Sequence, residues 1–184
     1  MSTKDSLRRQ LKAKLEALGS EERHKRSLLV EHKLFNLESF RKAACVCFYV
    51  STPFEVDTAF MIDRALREGK KVLVPLTDLQ KRQLYFYEIK DRQEDLAQGA
   101  FGIMEPRPGT TRLADPDEAG CVIVPGVVFD TLNNRIGRGK GFYDRFLGGL
   151  RPGVVKVGLA FSFQVVERIP AEDRDMKMDL VLTD

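Results

Sequence analysis

The sequence predicts an α/β fold: a three-layer, open, mostly parallel sheet with helices on both faces. Three observations carry that reading. Apolar runs of strand length recur at 43–50, 72–76 and 121–125, with a further strand at 154–161, and the runs are too uniformly apolar for a sheet with one wet face and suited to strands buried on both. Between the first two, Ala59, Ile62, Ala65 and Leu66 share one side of a helical pattern over 58–68. Strand, helix and strand within about 35 residues make a βαβ unit with parallel strands. Composition agrees, because 43% hydrophobic and 31% charged residues in a chain of 184 fit one globular domain over 1–184 and exclude a disordered chain or a coiled coil.

The elements follow in order. Leu7, Leu11, Leu15 and Leu18 recur at i, i+4, i+8 and i+11, a narrow apolar stripe on a charged helix that Gly19 ends. Ser20, as an N-cap followed by Glu21 and Glu22, opens a second helix through about Phe35. Both helices are charged on their outer faces and are expected to cover the core. After the first buried strand, Asp57 caps the helix over 58–68, which exits at Gly69. Strands are expected at 72–76 and 84–89. The stretch from there to Pro116, with Gly99, Gly102, Pro106, Pro108 and Gly109, reads as a long surface excursion of the length that usually carries function. A strand at 121–125, a short helix at 143–147, a strand at 154–161 and a last one at 180–182 complete the chain. In such a sheet ligands sit at the carboxyl ends of the strands.

Several classes are excluded. A net charge of +3 does not by itself call for nucleic acid or a membrane surface. The longest charge-free stretches, 43–54 and 119–129, fall short of the roughly 18 apolar residues a bilayer crossing needs. The start, Met1-Ser-Thr-Lys-Asp-Ser, lacks the apolar region of a secretory signal, so the chain is expected to be soluble and cytoplasmic. Cys45, Cys47 and Cys121 lie inside apolar runs and read as reduced thiols packed as small hydrophobes. His24 and His32, eight apart on the charged second helix, read as solvated and serve neither a hydrolase triad nor a zinc site.

The densest chemical signal is Asn133-Asn-Arg-Ile-Gly-Arg-Gly-Lys-Gly-Phe-Tyr-Asp144, between a buried strand and a helix. Gly137, Gly139 and Gly141 alternate, letting the backbone approach an anion closely and turn its N–H groups inward. Arg135, Arg138 and Lys140 supply three cations against the single Asp144. Phosphate is the natural ligand, helped by the positive end of the helix that follows. The spacing is neither that of a Walker A loop nor Gly-x-Gly-x-x-Gly. Asp144 either neutralises an arginine or holds Mg²⁺ through one carboxylate. Glu55, just past the first strand, either accepts hydrogen bonds from an amino-substituted heterocycle or caps the following helix. Glu172, Asp173, Asp175 and Asp179 surround Lys177 and become a metal site only if the fold returns them to Asp144.

With Lys4-Asp-Ser-Leu-Arg8, Glu55-Val-Asp-Thr58, Phe101-Gly-Ile-Met-Glu-Pro106, Val124-Pro-Gly126, Phe129-Asp130, the block from Asn134 to Asp144, and Asp175-Met-Lys177, the chain resembles the 5-formyltetrahydrofolate cyclo-ligase (5,10-methenyltetrahydrofolate synthetase) family over nearly its whole length. The resemblance implies a Rossmann-like sheet of the NagB, RpiA and CoA-transferase type. It implies that Lys4, Asp5, Ser6, Leu7 and Arg8 meet ATP. Arg135, Ile136, Gly137, Arg138, Gly139, Lys140, Gly141, Phe142 and Tyr143 would wrap its triphosphate, with Arg138 and Lys140 acting on the transferred phosphoryl group. Mg²⁺ would sit on Asp144 and Asp175. Folate would meet Val50, Glu55 and Phe101, with Arg138, Gly139, Lys140, Gly141 and Phe142 facing the reacting formyl group. Phe142 stands where the family often has the first of two tyrosines, keeping the aromatic face without the hydroxyl. The implied reaction, part of one-carbon metabolism, is ATP-dependent cyclisation of 5-formyltetrahydrofolate to 5,10-methenyltetrahydrofolate, and it requires no protein nucleophile.

Two other readings come from the residues alone. Residues 1–42 carry eleven Lys and Arg against six Asp and Glu, a basic arm that suits ATP and a polyanionic folate tail but also RNA. RNA needs stacking aromatics beside the cations, and this arm has only Phe35 and Phe40. A phosphotransferase could use the same loop on another acceptor, since a phosphate cradle does not specify what receives the phosphoryl group. Only the resemblance selects folate; it implies small-molecule partners, with no nucleic acid, membrane or obligate protein partner.

Overall fold

The computed structural model describes residues 3–99, 102–107, 109–170, 172 and 175–184. The apolar runs form the expected parallel strands: β1 (Cys45–Cys47), β2 (Lys71–Asp78), β7 (Cys121–Val124), β10 (Val155–Ala160) and β12 (Leu180–Thr183). With β3 (Gln83–Ile89) and β6 (Arg112–Ala114) they make a seven-stranded sheet in the order β12-β10-β7-β1-β2-β3-β6. The first five are mutually parallel, and β3 and β6 add antiparallel pairs at one edge. The βαβ unit is present: α4 (Ala59–Arg67) joins β1 to β2, with Cys45, Val46 and Cys47 in register with Lys71, Val72 and Leu73.

Strand alternation builds both core faces. Val46, Val72, Val74, Cys121, Ile123, Val157 and Leu159 point to one side. They pack there against α2 (Ser20–Asn36), α3 (Glu38–Lys42) and α4 through Val30, Leu34, Phe40, Met61 and Ile62. Cys45, Cys47, Leu73, Val122 and Val124 point to the other, against Phe129 and Leu147 of α6 (Phe142–Gly149). A strand buried on both faces needs apolar residues at every position, which is why these runs do not alternate in polarity. The three cysteines are buried and free, and burial pushes Cys45 up to about 11 and Cys121 up to about 12.

The structure corrects several local expectations. β1 is shorter than 43–50, because after the Phe48 N–H to Leu73 O bond the chain leaves the ladder and is tied elsewhere: the Tyr49 hydroxyl donates to Val56 O and the Thr58 hydroxyl to Tyr49 O. Ser20 is inside α2 and Gly19 takes the N-cap position without a side-chain bond. The first helix, α1 (Lys4–Ala17), is capped by Thr3, whose hydroxyl accepts from Ser6 N. Thr58, not Asp57, takes the N-cap position of α4 and has no side-chain cap bond, while Asp57, one residue earlier, accepts from Ala59 N at 2.9 Å. The excursion after β3 contains α5 (Arg92–Asp95), the hairpin of β4 (Leu96–Gln98) and β5 (Met104–Pro106), and then β6.

A small second sheet carries the loop of interest. β8 (Val128–Asp130) pairs with β9 (Arg135–Ile136) and β11 (Val165–Val166), and α1 covers it through Leu7 and Leu11 against Val128, Ile136 and Ile169. The β8–β9 turn is set by Asn133 at φ 62°, a conformation asparagine tolerates, and by the buried Asp130. That carboxylate accepts from Leu132 N, Asn134 N, Asn134 Nδ2 and Ile169 N. Burial pushes its pKa up, but the N–H donors of Asn134, Ile169 and Leu132 outweigh burial and hold it below the ordinary carboxylate value. Asp130 thereby fixes where Asn134 ends and Arg135 begins.

Candidate functional site

The strand order places a topological switch point between β1 and β7, since the chain proceeds from β1 toward β2 on one side and from β7 toward β10 on the other. A cleft of about 1410 Å³ opens there, with Tyr49 and Val50 following β1 and Pro125 and Gly126 following β7 in its wall. Ligands of open α/β sheets bind at this place. The volume exceeds the roughly 300–1,000 Å³ of a single small-ligand pocket, leaving room for two substrates.

The basic glycine loop forms one wall of the cleft, from Arg135 through Arg145. Gly139 at φ 96° and Gly141 at φ 68° give it left-handed steps that L side chains rarely adopt. Gly141 is the N-cap of α6, so the loop ends on the positive end of a helix. Arg135 is almost wholly buried, its side chain 3% exposed and that of its partner Asp144 26%. It donates to Pro125 O at 3.2 Å and to Asp144 Oδ1 at 2.7 Å, while its Nε has no partner among the described residues. Of the two roles open to Asp144, pairing with an arginine is therefore present. Tyr143 lies beside this pair, the Arg135 guanidinium 5.8 Å from its ring centre, and burial pushes its pKa well above the ordinary tyrosine value.

Arg8 of α1 donates through Nε to Gly137 O at 2.9 Å and pairs with Asp5. Lys4 holds the other end of the chain, donating to Asp175 Oδ2 at 2.6 Å and Glu172 Oε1 at 3.0 Å. Burial alone lowers the Lys4 pKa, yet these two carboxylates raise it above its ordinary value. Asp175, Glu172 and Asp144 line the same cleft, Asp175 and Glu172 held by Lys4 and Asp144 by Arg135. Glu55 does not cap α4. Its Oε2 accepts from Thr52 N and Oγ1, and its Oε1 from Arg138 Nη2 at 3.0 Å.

The residues expected at the site thus converge: Lys4, Asp5, Arg8, Val50, Glu55, Asp144 and Asp175 line one cleft with the whole run from Arg135 to Tyr143. Ser6 and Leu7 do not line it, because Leu7 turns inward to the core of the small sheet and Ser6 N is used in capping α1. Phe101 lies outside the described residues. Tyr49, Thr52, Leu84, Ile103, Met104 and Arg145 also line the cleft and were not expected from sequence. Ile103 and Met104 belong to the long excursion, whose length was the available signal. Thr52 stands three before Glu55, the spacing at which a hydroxyl and a carboxylate meet across a turn.

Fold and site together define an α/β enzyme whose basic, glycine-rich loop lines a large cleft at the switch point of a parallel sheet. The chain belongs to the 5-formyltetrahydrofolate cyclo-ligase family, whose model matches residues 1–184. It is 32% identical over 189 residues to the mouse (Mus musculus) 5-formyltetrahydrofolate cyclo-ligase, covering 98% of this chain and 93% of that one. The Haemophilus influenzae 5-formyltetrahydrofolate cyclo-ligase is 31% identical over 172 residues, covering 92% and 90%. The NMR structure of Aquifex aeolicus 5,10-methenyltetrahydrofolate synthetase superposes with a TM-score of 0.84 at 36% identity, covering 98% of this chain and 89% of that one.

Proposed function

We propose that this chain, acting as a single domain over 1–184, converts 5-formyltetrahydrofolate to 5,10-methenyltetrahydrofolate with consumption of ATP. The observation that carries the reading is the convergence, in a chain of this family, of the Arg135–Tyr143 loop, the α1 cations and Glu55 on one cleft.

In the reaction the formyl oxygen attacks the γ-phosphorus of ATP, and the bond to the β,γ-bridging oxygen breaks to release ADP. N10 then adds to the formyl carbon of the N5-iminium phosphate. Loss of the N10 proton and cleavage of the carbon–oxygen bond give the methenyl product and inorganic phosphate. Such transfer needs alignment and neutralisation of charge more than covalent help. Arg138 and Lys140 are the groups assigned to the transferring phosphoryl oxygens, where fixed cations stabilise the transition state. Lys4, Asp5 and Arg8 are assigned to the nucleotide with the loop backbone, Ser6 and Leu7 contributing only through their place in α1. Val50, Glu55 and Phe142 are assigned to folate, as is Phe101.

Among the described residues no three or more His, Cys, Asp or Glu side chains gather around a point where they could hold a metal, which argues against an all-protein cage. Asp144 and Asp175 fit Mg²⁺, a hard cation that takes one or two carboxylates and completes its shell with water and phosphate oxygens. Held by these carboxylates, Mg²⁺ would supply positive charge to offset that of the phosphates. Among the described residues no helix is long and apolar enough to cross a membrane. The family's small-molecule chemistry suits a cytoplasmic enzyme acting on folate and ATP, without nucleic acid or an obligate protein partner.

The test is to mix the protein with 5-formyltetrahydrofolate and Mg·ATP and follow the near-ultraviolet band of the conjugated methenyl product. The band is expected to grow only with ATP. Its absence in a folded protein that still binds ATP would remove folate as the substrate.

A further inference from the structure

The turn after β1 holds three side chains in a closed arrangement. The Thr52 hydroxyl donates to Glu55 Oε2 at 3.0 Å and accepts from Arg138 Nη2 at 2.7 Å. The Thr52 backbone N–H donates to the same Oε2 at 2.9 Å, and Arg138 Nη2 also donates to Glu55 Oε1 at 3.0 Å. A hydroxyl has one proton to give and lone pairs to receive, so Thr52 is used in both directions at once. Glu55 is held at both oxygens and its side chain is 14% exposed, whereas that of Arg138 is 55% exposed. The carboxylate is the fixed partner and the arginine the movable one.

The roles assigned above need both groups elsewhere. Glu55 is to accept from the folate heterocycle, and an amino group arriving at Oε1 competes directly with Arg138. Arg138 is to meet the transferring phosphoryl group, which it cannot approach freely while both protons of Nη2 are committed to Thr52 and Glu55.

We propose that Thr52 is a positioning residue that couples the two substrates: it seats Glu55 and retains Arg138 on the folate side until the heterocycle replaces Arg138 at Glu55 Oε1. The freed guanidinium then serves the phosphates. The proposal rests on the assignment of folate to Glu55 and of ATP to the loop. Its consequence is reciprocal, since folate that releases Arg138 tightens nucleotide binding and nucleotide that recruits Arg138 tightens folate binding by the same factor.

The test is calorimetric titration with the β,γ-imido analogue of ATP in Mg²⁺, with and without saturating 5-formyltetrahydrofolate. In the unmodified protein folate is expected to lower the Kd of the analogue about tenfold, within the usual span of coupling between sites. Thr52→Val loosens Arg138 beforehand, so the analogue alone is expected to bind about threefold tighter and folate to add less than about twofold. Thr52→Ser, which keeps the hydroxyl, restores the original values. On an Arg138→Ala background Thr52→Val changes nothing, which separates release of the arginine from any general effect on the turn. Thr52→Ala replaces the valine variant if the latter does not fold. Full coupling in the valine or alanine variant, or an effect that persists without Arg138, overturns the proposal. Unmodified protein that binds both ligands independently overturns the proposal alone; binding of neither overturns the assignment beneath it as well.

Discussion

Asp144 is, among the described residues, the only hydrogen-bonding counterion of the buried Arg135, and removing it has a cost that can be worked from the geometry. Breaking a buried ion pair from one side costs about 3–5 kcal/mol, because the remaining charge stays desolvated. Asp144 is 26% exposed, so water reaches the gap left by Asp144→Ala and the lower end, about 3 kcal/mol, applies. In a chain of this size each kcal/mol moves the melting temperature by about 2–4 °C, giving a fall of about 6–12 °C. Asp144→Asn keeps an acceptor for Arg135 Nη2 and loses the charge, a difference of about 1 kcal/mol between a charged and a neutral hydrogen bond and about 2–4 °C. The assay is a thermal melt by circular dichroism without nucleotide or Mg²⁺, so that no ligand stabilises the folded state. On an Arg135→Met background the alanine substitution should cost far less, because no charge is left stranded. An alanine variant that melts within about 1 °C of the unmodified protein would refute the reasoning.

Three further outcomes are expected. Lys140→Ala should lower turnover by about 10²–10³-fold, as removal of a transition-state donor does, with an unchanged melting temperature; near-normal turnover would remove Lys140 from the phosphoryl group. Asp130→Asn should destabilise the protein at neutral pH. Because the folded-state pKa of Asp130 lies below its ordinary value, its contribution is complete above that ordinary value and is lost as pH falls through the folded one. The gap between the two proteins in urea titrations should therefore narrow on acidification, and a gap that widens would contradict the hydrogen bonding around Asp130. Finally, the buried Cys45, Cys47 and Cys121, whose pKa values burial raises, should resist an aromatic disulfide reagent at pH 7.5 until urea unfolds the chain; rapid labelling of the native protein would show that their packing opens.

Much of the central sheet was legible because burial on both faces leaves a plain mark, the uninterrupted apolar runs at Cys45–Cys47 and Cys121–Val124 and the run at Val155–Ala160 broken only by Lys156. The direction of β3 was not, because an apolar run does not say whether its neighbour is parallel. β8, β9 and β11 are two or three residues long, too short for any period, and their pairing depends on Asp130 and on α1. Ser20 had the chemistry of an N-cap, yet the helix takes it into its first turn behind Gly19. At the site, the alternating glycines and cations announced an anion loop without saying that Arg135 would be buried on Asp144. Glu55 was left between two roles by its position alone; its actual partners, Thr52 and Arg138, include one 83 residues away, which only the fold brings near. Arg145 was missed because it follows the motif, although it donates to Lys140 O and Arg82 O and so joins the loop to the β2–β3 turn.

The proposed reaction requires that the formyl oxygen be phosphorylated in this cleft and leave as phosphate. The measurement that tests it most directly is turnover of 5-formyltetrahydrofolate carrying ¹⁸O in the formyl group, with mass analysis of the inorganic phosphate released. The account predicts one ¹⁸O in each phosphate formed alongside methenyl product. Product formation with unlabelled phosphate would contradict it, because the oxygen would then have left by a route that never joined the γ-phosphoryl group.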